Sequence, residues 1–148
     1  MEDLNFVETI KEVVDLTKMG LAIGKKIKFN YSGLKEGHDK VFSDKQRIQQ
    51  VCLNLLSNAV KFSKLPTIRV KVDQVGSCLR CSVKNVGVPI SQNDIETRLF
   101  KPFTTLSGGK TVNPNGTGLG LYICKEITEM LGGELTCTTE PKLLKLEE

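Results

Sequence analysis

Asp44-Lys45-Gln46-Arg47-Ile48-Gln49-Gln50-Val51-Cys52-Leu53-Asn54-Leu55-Leu56-Ser57-Asn58-Ala59-Val60-Lys61-Phe62-Ser63 is the stretch whose reading decides the fold. Its periodicity predicts one long helix, capped by Ser43 or Asp44 and ending near residue 63. Ile48, Val51, Cys52, Leu55, Ala59 and Phe62 recur at helical spacing as a core face. Arg47, Gln50, Asn54, Asn58 and Lys61 recur at the same intervals and form a polar ridge beside it. A surface helix can carry such a ridge for solubility alone, but solvent faces are usually rich in Glu and Lys. Two asparagines one turn apart, poor helix formers flanked by leucines, are unusual filler. An asparagine oxygen is a neutral ligand suited to a hard cation such as magnesium already carried by phosphates. Site and scaffold both stand at this point.

Gly116-Thr117-Gly118-Leu119-Gly120-Leu121 is the second informative stretch. Leu119, Ile123, Ile127, Met130 and Leu131 follow at helical spacing, so a helix over residues 118–131 is expected, stopped by Gly132-Gly133. A glycine-rich loop feeding a helix exposes N–H groups at the positive end of the helix dipole and favours an anion, most often phosphate. Alone, such a loop reads first as a tight turn needing positive φ, and only the rest of the chain raises it above that. Its spacing does not fit G-x-G-x-x-G, and too little chain follows for a βαβ unit. Gly109-Lys110-Thr111 imitates the end of a P-loop, but Thr104 stands where the first glycine belongs.

The 148 residues, 39% hydrophobic and 26% charged, suit one soluble globular domain over 1–148. The net charge of +4, from 21 basic and 17 acidic residues, is far from the dense basic face of a nucleic-acid binder. No apolar run approaches membrane-spanning length and no signal peptide is evident, so no membrane contact is expected. Five scattered cysteines suggest a reducing compartment, hence a cytoplasmic location. Cys78 and Cys81 form a C-x-x-C without a second pair. On a strand they point to opposite faces, so zinc is not expected.

Residues 6 to about 21 read as an amphipathic helix with Phe6, Ile10, Val13, Val14 and Leu16 inward, ended by Gly20 and Gly24. Residues 26–31 alternate Ile27, Phe29 and Tyr31 against polar neighbours as a strand, and 32–40 form a polar loop holding His38, the only histidine. Residues 67–75 and 78–85 make a hairpin about Gly76-Ser77, with Ile68, Val70 and Val72 inward. Leu79, Cys81, Val83 and Asn85 share one face of its second strand, which ends in a polar side chain where Val86-Gly87-Val88-Pro89 breaks the ladder. Such a group caps a neighbouring element or meets a ligand. Ser91 opens a short helix. Residues 104–115 have the composition of a mobile lid, and 134–138 read as a short strand closed by Pro141.

Taken together, these segments resemble the ATP-binding catalytic domain of sensor histidine kinases, in the GHKL ATPase superfamily. Residues 44–63 look like that family's N box, Leu99-Phe100-Lys101-Pro102-Phe103 like its F box, and residues 116–121 like its G2 box, in the same order and at similar separations. The resemblance implies an α/β (α+β) two-layer sandwich of the Bergerat type: a mixed sheet covered on one face by helices, with an ATP lid over about 92–117 and a tail over 140–148. It implies that Asn58 coordinates Mg²⁺, that Asn54 lines the same face and that Lys61 reaches the phosphates of ATP. Gly116, Thr117, Gly118, Leu119 and Gly120 would wrap the triphosphate. Phe100 and Phe103 would anchor the base of the lid, and Asn85, Gly87 and Ile90 would belong to the adenine pocket. Phosphoryl transfer needs chiefly positioning and charge neutralisation, which Mg²⁺, a lysine and backbone amides supply.

Two departures qualify the resemblance. The family's G1 motif usually reads Asp-x-Gly-x-Gly, whereas here it is Asn85-Val86-Gly87-Val88-Pro89. Asn85 keeps an acceptor for the adenine amino group but loses the charge, and Pro89 removes an N–H. Weaker nucleotide binding, by about one to a few kcal/mol, is the expected consequence. Residues 142–148 also lack the closing strand with its Gly-x-Gly-Thr-like turn, so an unpaired sheet edge is expected. The phosphoacceptor histidine helix is missing as well, and His38 does not replace it. The resemblance thus implies a domain that presents the γ-phosphate to a histidine on a separate dimerisation domain, with a response-regulator receiver domain downstream. It would be the cytoplasmic part of a sensor, membrane-attached or not. The alternative is a pseudokinase module acting through protein contacts: Asn85 and Pro89 favour it, while the intact N and G2 boxes favour the kinase.

Overall fold

The computed structural model describes residues 1–102 and 119–140. Three strands form a mixed sheet: β2 (Lys26–Asn30), β4 (Thr67–Val75) and β5 (Cys78–Lys84), in the order β2-β4-β5. β2 runs parallel to β4 with Ile27 opposite Ile68 and Phe29 opposite Val70. β5 returns antiparallel through the Gly76-Ser77 turn, where Gly76 has φ 60°, and sets Val83 opposite Val70 and Cys81 opposite Val72. A parallel pair cannot be joined by a tight turn; here the crossover carries the long helix α2 (Lys45–Phe62).

Alternation along β4 decides which face is covered. Ile68, Val70 and Val72 are buried while Arg69 and Lys71 are exposed. On the buried face lie α1 (Phe6–Met19), through Val7, Ile10, Val13 and Val14, and α2, through Cys52, Leu56 and Ala59. Each buried Val, Ile or Leu among them contributes roughly 1.5–3 kcal/mol. Polar ties join the two helices at their exposed edge. Gln49 Nε2 donates to the Thr9 carbonyl (3.2 Å) and to Glu12 Oε2 (2.8 Å), and Lys45 Nζ lies 3.1 Å from Glu12 Oε1. α4 (Gly120–Met130) packs on α2 with Cys124 and Ile127 buried. A short α3 (Gln92–Thr97) precedes the buried Leu99.

A second, two-stranded ribbon was not legible in the sequence. β1 (Glu2–Asn5) pairs antiparallel with β3 (Lys40–Ser43), Leu4 opposite Val41. Each strand has only four residues, two of them charged in β1 and one in β3, so neither shows a period. Asn5 then caps α1, its Oδ1 accepting from the Glu8 N–H at 2.9 Å and its Nδ2 donating to Asp39 Oδ2 at 2.7 Å.

Several expectations are corrected in detail. Leu16, expected inward, is 62% exposed, because at about 100° per residue it falls well off the face shared by Ile10, Val13 and Val14. Tyr31 lies past the end of β2 and is exposed. On α2 the most buried leucine is Leu56, not Leu55. On α4, Ile123 and Met130 are exposed, since that helix packs on one neighbour rather than on a sheet. The strand expected over 134–138 is absent: among the described residues nothing pairs with it in a ladder, and period-2 alternation without a partner makes no strand. Phe103, Gly116, Thr117, Gly118, most of the expected lid and the tail beyond 140 lie outside the described residues.

Candidate functional site

α2 carries the candidate site, and its ends are held. Asp44, not Ser43, is the N-cap: its Oδ1 accepts from the Arg47 N–H at 3.1 Å. At the other end Lys25 Nζ donates to the carbonyls of Val60 (3.1 Å) and Ser63 (3.0 Å). A cation at a helix C-terminus meets both orphan acceptors and the negative end of the dipole. Nothing in the one-dimensional pattern ties Lys25 to residue 60; the pairing exists because β2 starts beside the end of α2.

The polar ridge is real but unevenly used. Arg47 Nη1 donates to Gln50 Oε1 (3.1 Å), a local pair at the exposed end. Asn54 is half-buried against α4, its Nδ2 3.4 Å from the Gly120 carbonyl. A Cβ at Gly120 would stand 3.2 Å from Asn54 Oδ1, a close contact with a side chain that has room to turn. Nearby, burial pushes the Cys124 thiol pKa up, with Asn54 acting weakly in the opposite sense.

A second close approach lies at the C-terminal end of α2. Leaving β5, the chain crosses this end, and the Lys64 N–H donates to the Val86 carbonyl at 2.7 Å. A Cβ at Gly87 would come within 2.5 Å of the Phe62 carbonyl oxygen and 3.2 Å of Asn85 Nδ2. Only glycine fits there, for reasons of space rather than φ. Asn85 and Ile90 are half-buried, while Val88 and Pro89 are exposed.

One flank of α2 is therefore bracketed. Gly120 meets it at Asn54 and Gly87 at Phe62, eight residues or about 12 Å apart along the axis. Asn58 and Lys61 lie between, one and two turns on from Asn54. Among the described residues no side-chain hydrogen bond engages Asn58, Lys61 or Asn85. Phe100 sits half-buried near the same helix pair, with Lys125 Nζ of α4 5.8 Å from its ring centroid. The described residues hold no cluster of three His, Cys, Asp or Glu able to bind a metal. Cys78 is exposed whereas Cys81 packs against the core, the opposite faces expected of them. A depression of about 420 Å³ between the end of α1 and β2, lined by Leu21, Ile23, Lys25 and Ile27 among others, is open to solvent, and neither Asn54, Asn58, Lys61 nor Gly87 lines it.

A mixed sheet under two helices, with asparagines on the crossover helix between two glycine contacts, now stands beside the comparisons with known proteins. Residues 43–145 match the family of histidine kinase-, DNA gyrase B- and HSP90-like ATPases, and the chain belongs to that family. Within it, this is an ATP-binding catalytic domain of the sensor histidine kinase type. It is 41% identical over 98 residues to the sensor histidine kinase RcsC of Escherichia coli, a match covering 66% of this chain and 10% of that protein. It is 30% identical over 138 residues to the peroxide stress-activated histidine kinase mak1 of Schizosaccharomyces pombe, covering 88% of this chain and 8% of that one. The chain thus spans about a tenth of the length of these relatives. Its fold superposes on the nucleotide-free catalytic domain of histidine kinase ThkA with a TM-score of 0.71 at 32% identity, covering 88% of this chain and 82% of the other. None of these comparisons favours the non-catalytic alternative.

Proposed function

We propose that this chain holds Mg-ATP along the bracketed flank of α2 and presents the γ-phosphate to a histidine on a separate dimerisation domain. The phosphoryl group then passes to a response-regulator receiver domain. The observation that carries the reading is the bracket itself: two tight glycine contacts about 12 Å apart, with Asn58 and Lys61 between them. The donor set suits magnesium held mainly by phosphate oxygens, since such an ion needs one or two protein oxygens and no carboxylate cage. Asn58 Oδ1 supplies that oxygen, and magnesium, when bound, neutralises phosphate charge. Lys61 is exposed on a long stem and adds a second positive charge.

Asn54 takes a narrower role than the one first expected of it. Its amide is engaged with Gly120, so it positions the first turn of α4. Asn85 receives the adenine amino group, Gly87 and Ile90 shape the base pocket, and Phe100 with Phe103 seats the lid. Another solved neighbour, full-length ShkA, is in complex with AMPPNP; at 22% identity and a TM-score of 0.62 it supports the fold. A cytoplasmic location follows from the need for ATP.

Calorimetric titration of the chain with ATP and Mg²⁺ tests the reading. Saturable binding is expected, with Asn58→Ala weakening it about tenfold or more, or at least about 1.4 kcal/mol, and leaving the thermal midpoint of the free protein unchanged. Absence of heat and of thermal stabilisation at millimolar ATP would instead select the pseudokinase.

A further inference from the structure

The sheet has a second face, which the nucleotide site does not use. Outward from β2 point Lys26, Lys28 and Asn30; from β4, Arg69, Lys71 and Asp73; from β5, Arg80, Ser82 and Lys84. Register aligns them. Lys28 stands opposite Arg69 and Arg69 opposite Lys84, a row of three cations across three adjacent strands. At the spacing of neighbouring strands such a row is about 10 Å wide, and like charges placed opposite one another destabilise a sheet.

Acidic compensation on this face is partial. Asp73 takes Arg80 in a two-pronged pair (2.9 and 2.6 Å) and lies 3.6 Å from Lys71. Glu140 reaches Lys84 at 3.2 Å. Among the described residues no carboxylate lies within ion-pair distance of Lys26, Lys28 or Arg69. Six basic groups against these two acids leave an excess of four. That equals the excess of the whole chain, whose 21 basic and 17 acidic residues give +4. The other fifteen basic and fifteen acidic residues are equal in number, so the excess on this face is as large as the net charge of the whole chain.

We propose that this face docks an extended acidic segment of a partner protein, lying along the strands with carboxylates at alternate positions. Side chains on one face of an extended segment recur about every 6.6–6.8 Å, the spacing of Lys26 to Lys28 and of Arg69 to Lys71. Protein is favoured over nucleic acid because, among the described residues of the strands, the face offers no aromatic platform for bases, Phe29 packing on the core side of β2. It is favoured over a lipid surface because the cationic part of the face carries no apolar side chain to enter the interface. The opposing cations are held by the ladder whether or not a partner is present, so docking relieves repulsion already built into the free protein.

Fluorescence anisotropy of a labelled peptide of about twelve residues, Glu alternating with Ser, tests this. The full chain is expected to bind it at about 50 mM salt and several-fold more weakly at about 150 mM. Arg69→Gln, at the centre of the row, is expected to weaken binding about three- to fivefold and to raise the thermal midpoint slightly. Arg69→Glu should abolish binding, while Lys11→Gln on the far face of α1 changes nothing. ATP titration of the same variants should match the parent, which separates this surface from the nucleotide site. Equal loss in Lys11→Gln, tighter binding of duplex DNA or of phosphatidylserine vesicles than of the peptide, or no binding of the peptide at low salt would each overturn the proposal.

Discussion

Gly87→Ala is the substitution whose cost the structure fixes most directly. The new methyl would lie 2.5 Å from the Phe62 carbonyl oxygen, well inside the contact distance of carbon and oxygen. Neither side can retreat freely. Phe62 sits in a helix end held by Lys25 on two carbonyls and by the Ser63 N–H to Ala59 bond (3.0 Å), and the approaching segment is tied by the Lys64 to Val86 bond of 2.7 Å. Overpacking of this kind costs about 1–3 kcal/mol, and stretching one backbone hydrogen bond adds about 0.5–1.5 kcal/mol. A loss of about 2–4 kcal/mol follows, which for a chain of this size lowers the thermal midpoint by roughly 5–15 °C. Gly120→Ala is the internal control: its methyl would stand 3.2 Å from a side-chain amide that can swing away, and alanine is the better helix former. Scanning calorimetry on both variants checks the ranking. Should Gly87→Ala prove as stable as the parent, the close approach of the β5 exit to α2 is wrong, and with it the bracket on which the site rests.

Asn85→Asp should tighten ATP binding by about one to a few kcal/mol, read by calorimetry, because a charged acceptor then faces the adenine amino group; unchanged affinity would remove Asn85 from the pocket. Lys25→Met keeps the stem but leaves the Val60 and Ser63 carbonyls without their cation, and should cost about 0.5–2 kcal/mol in urea unfolding. Glu12 is held below its ordinary pKa of 4.5 by the Gln49 hydrogen bond first and by Lys45 second. A carboxylate depressed in the fold contributes stability that is present above its unfolded pKa and lost as pH falls through the folded one. Glu12→Gln should therefore flatten the decline of the midpoint below about pH 4.5, a difference seen by comparing acid unfolding curves of the two proteins.

Periodicity alone reached a good part of this molecule. The 3.6-residue stripe on α1 and α2 and the period-2 alternation on β4 are long and strong, and each named its buried face: Val14, Cys52, Ala59, Ile68 and Val72 lie where the pattern put them. The hairpin turn at Gly76 was legible because a two-residue connection demands positive φ. The resemblance carried by residues 44–63, 99–103 and 116–121 named the family from local strings.

What only tertiary structure decided are the relations between segments distant along the chain. β1 and β3 exist because they find each other across 34 intervening residues; neither is a strand alone. The stretch 134–138 alternates like a strand and is not one, since a ladder needs a partner. Asn54 reads in one dimension as one of a pair of asparagines on the polar ridge, and only the fold sets its amide beside the Gly120 carbonyl. Gly87 reads as part of a segment that breaks the ladder, whereas its necessity comes from a carbonyl of another element at 2.5 Å. Likewise Lys28, Arg69 and Lys84, scattered in the sequence, became a basic row only once register set them side by side. Sequence records what each residue prefers by itself and with its near neighbours; proximity across the chain is created by the fold.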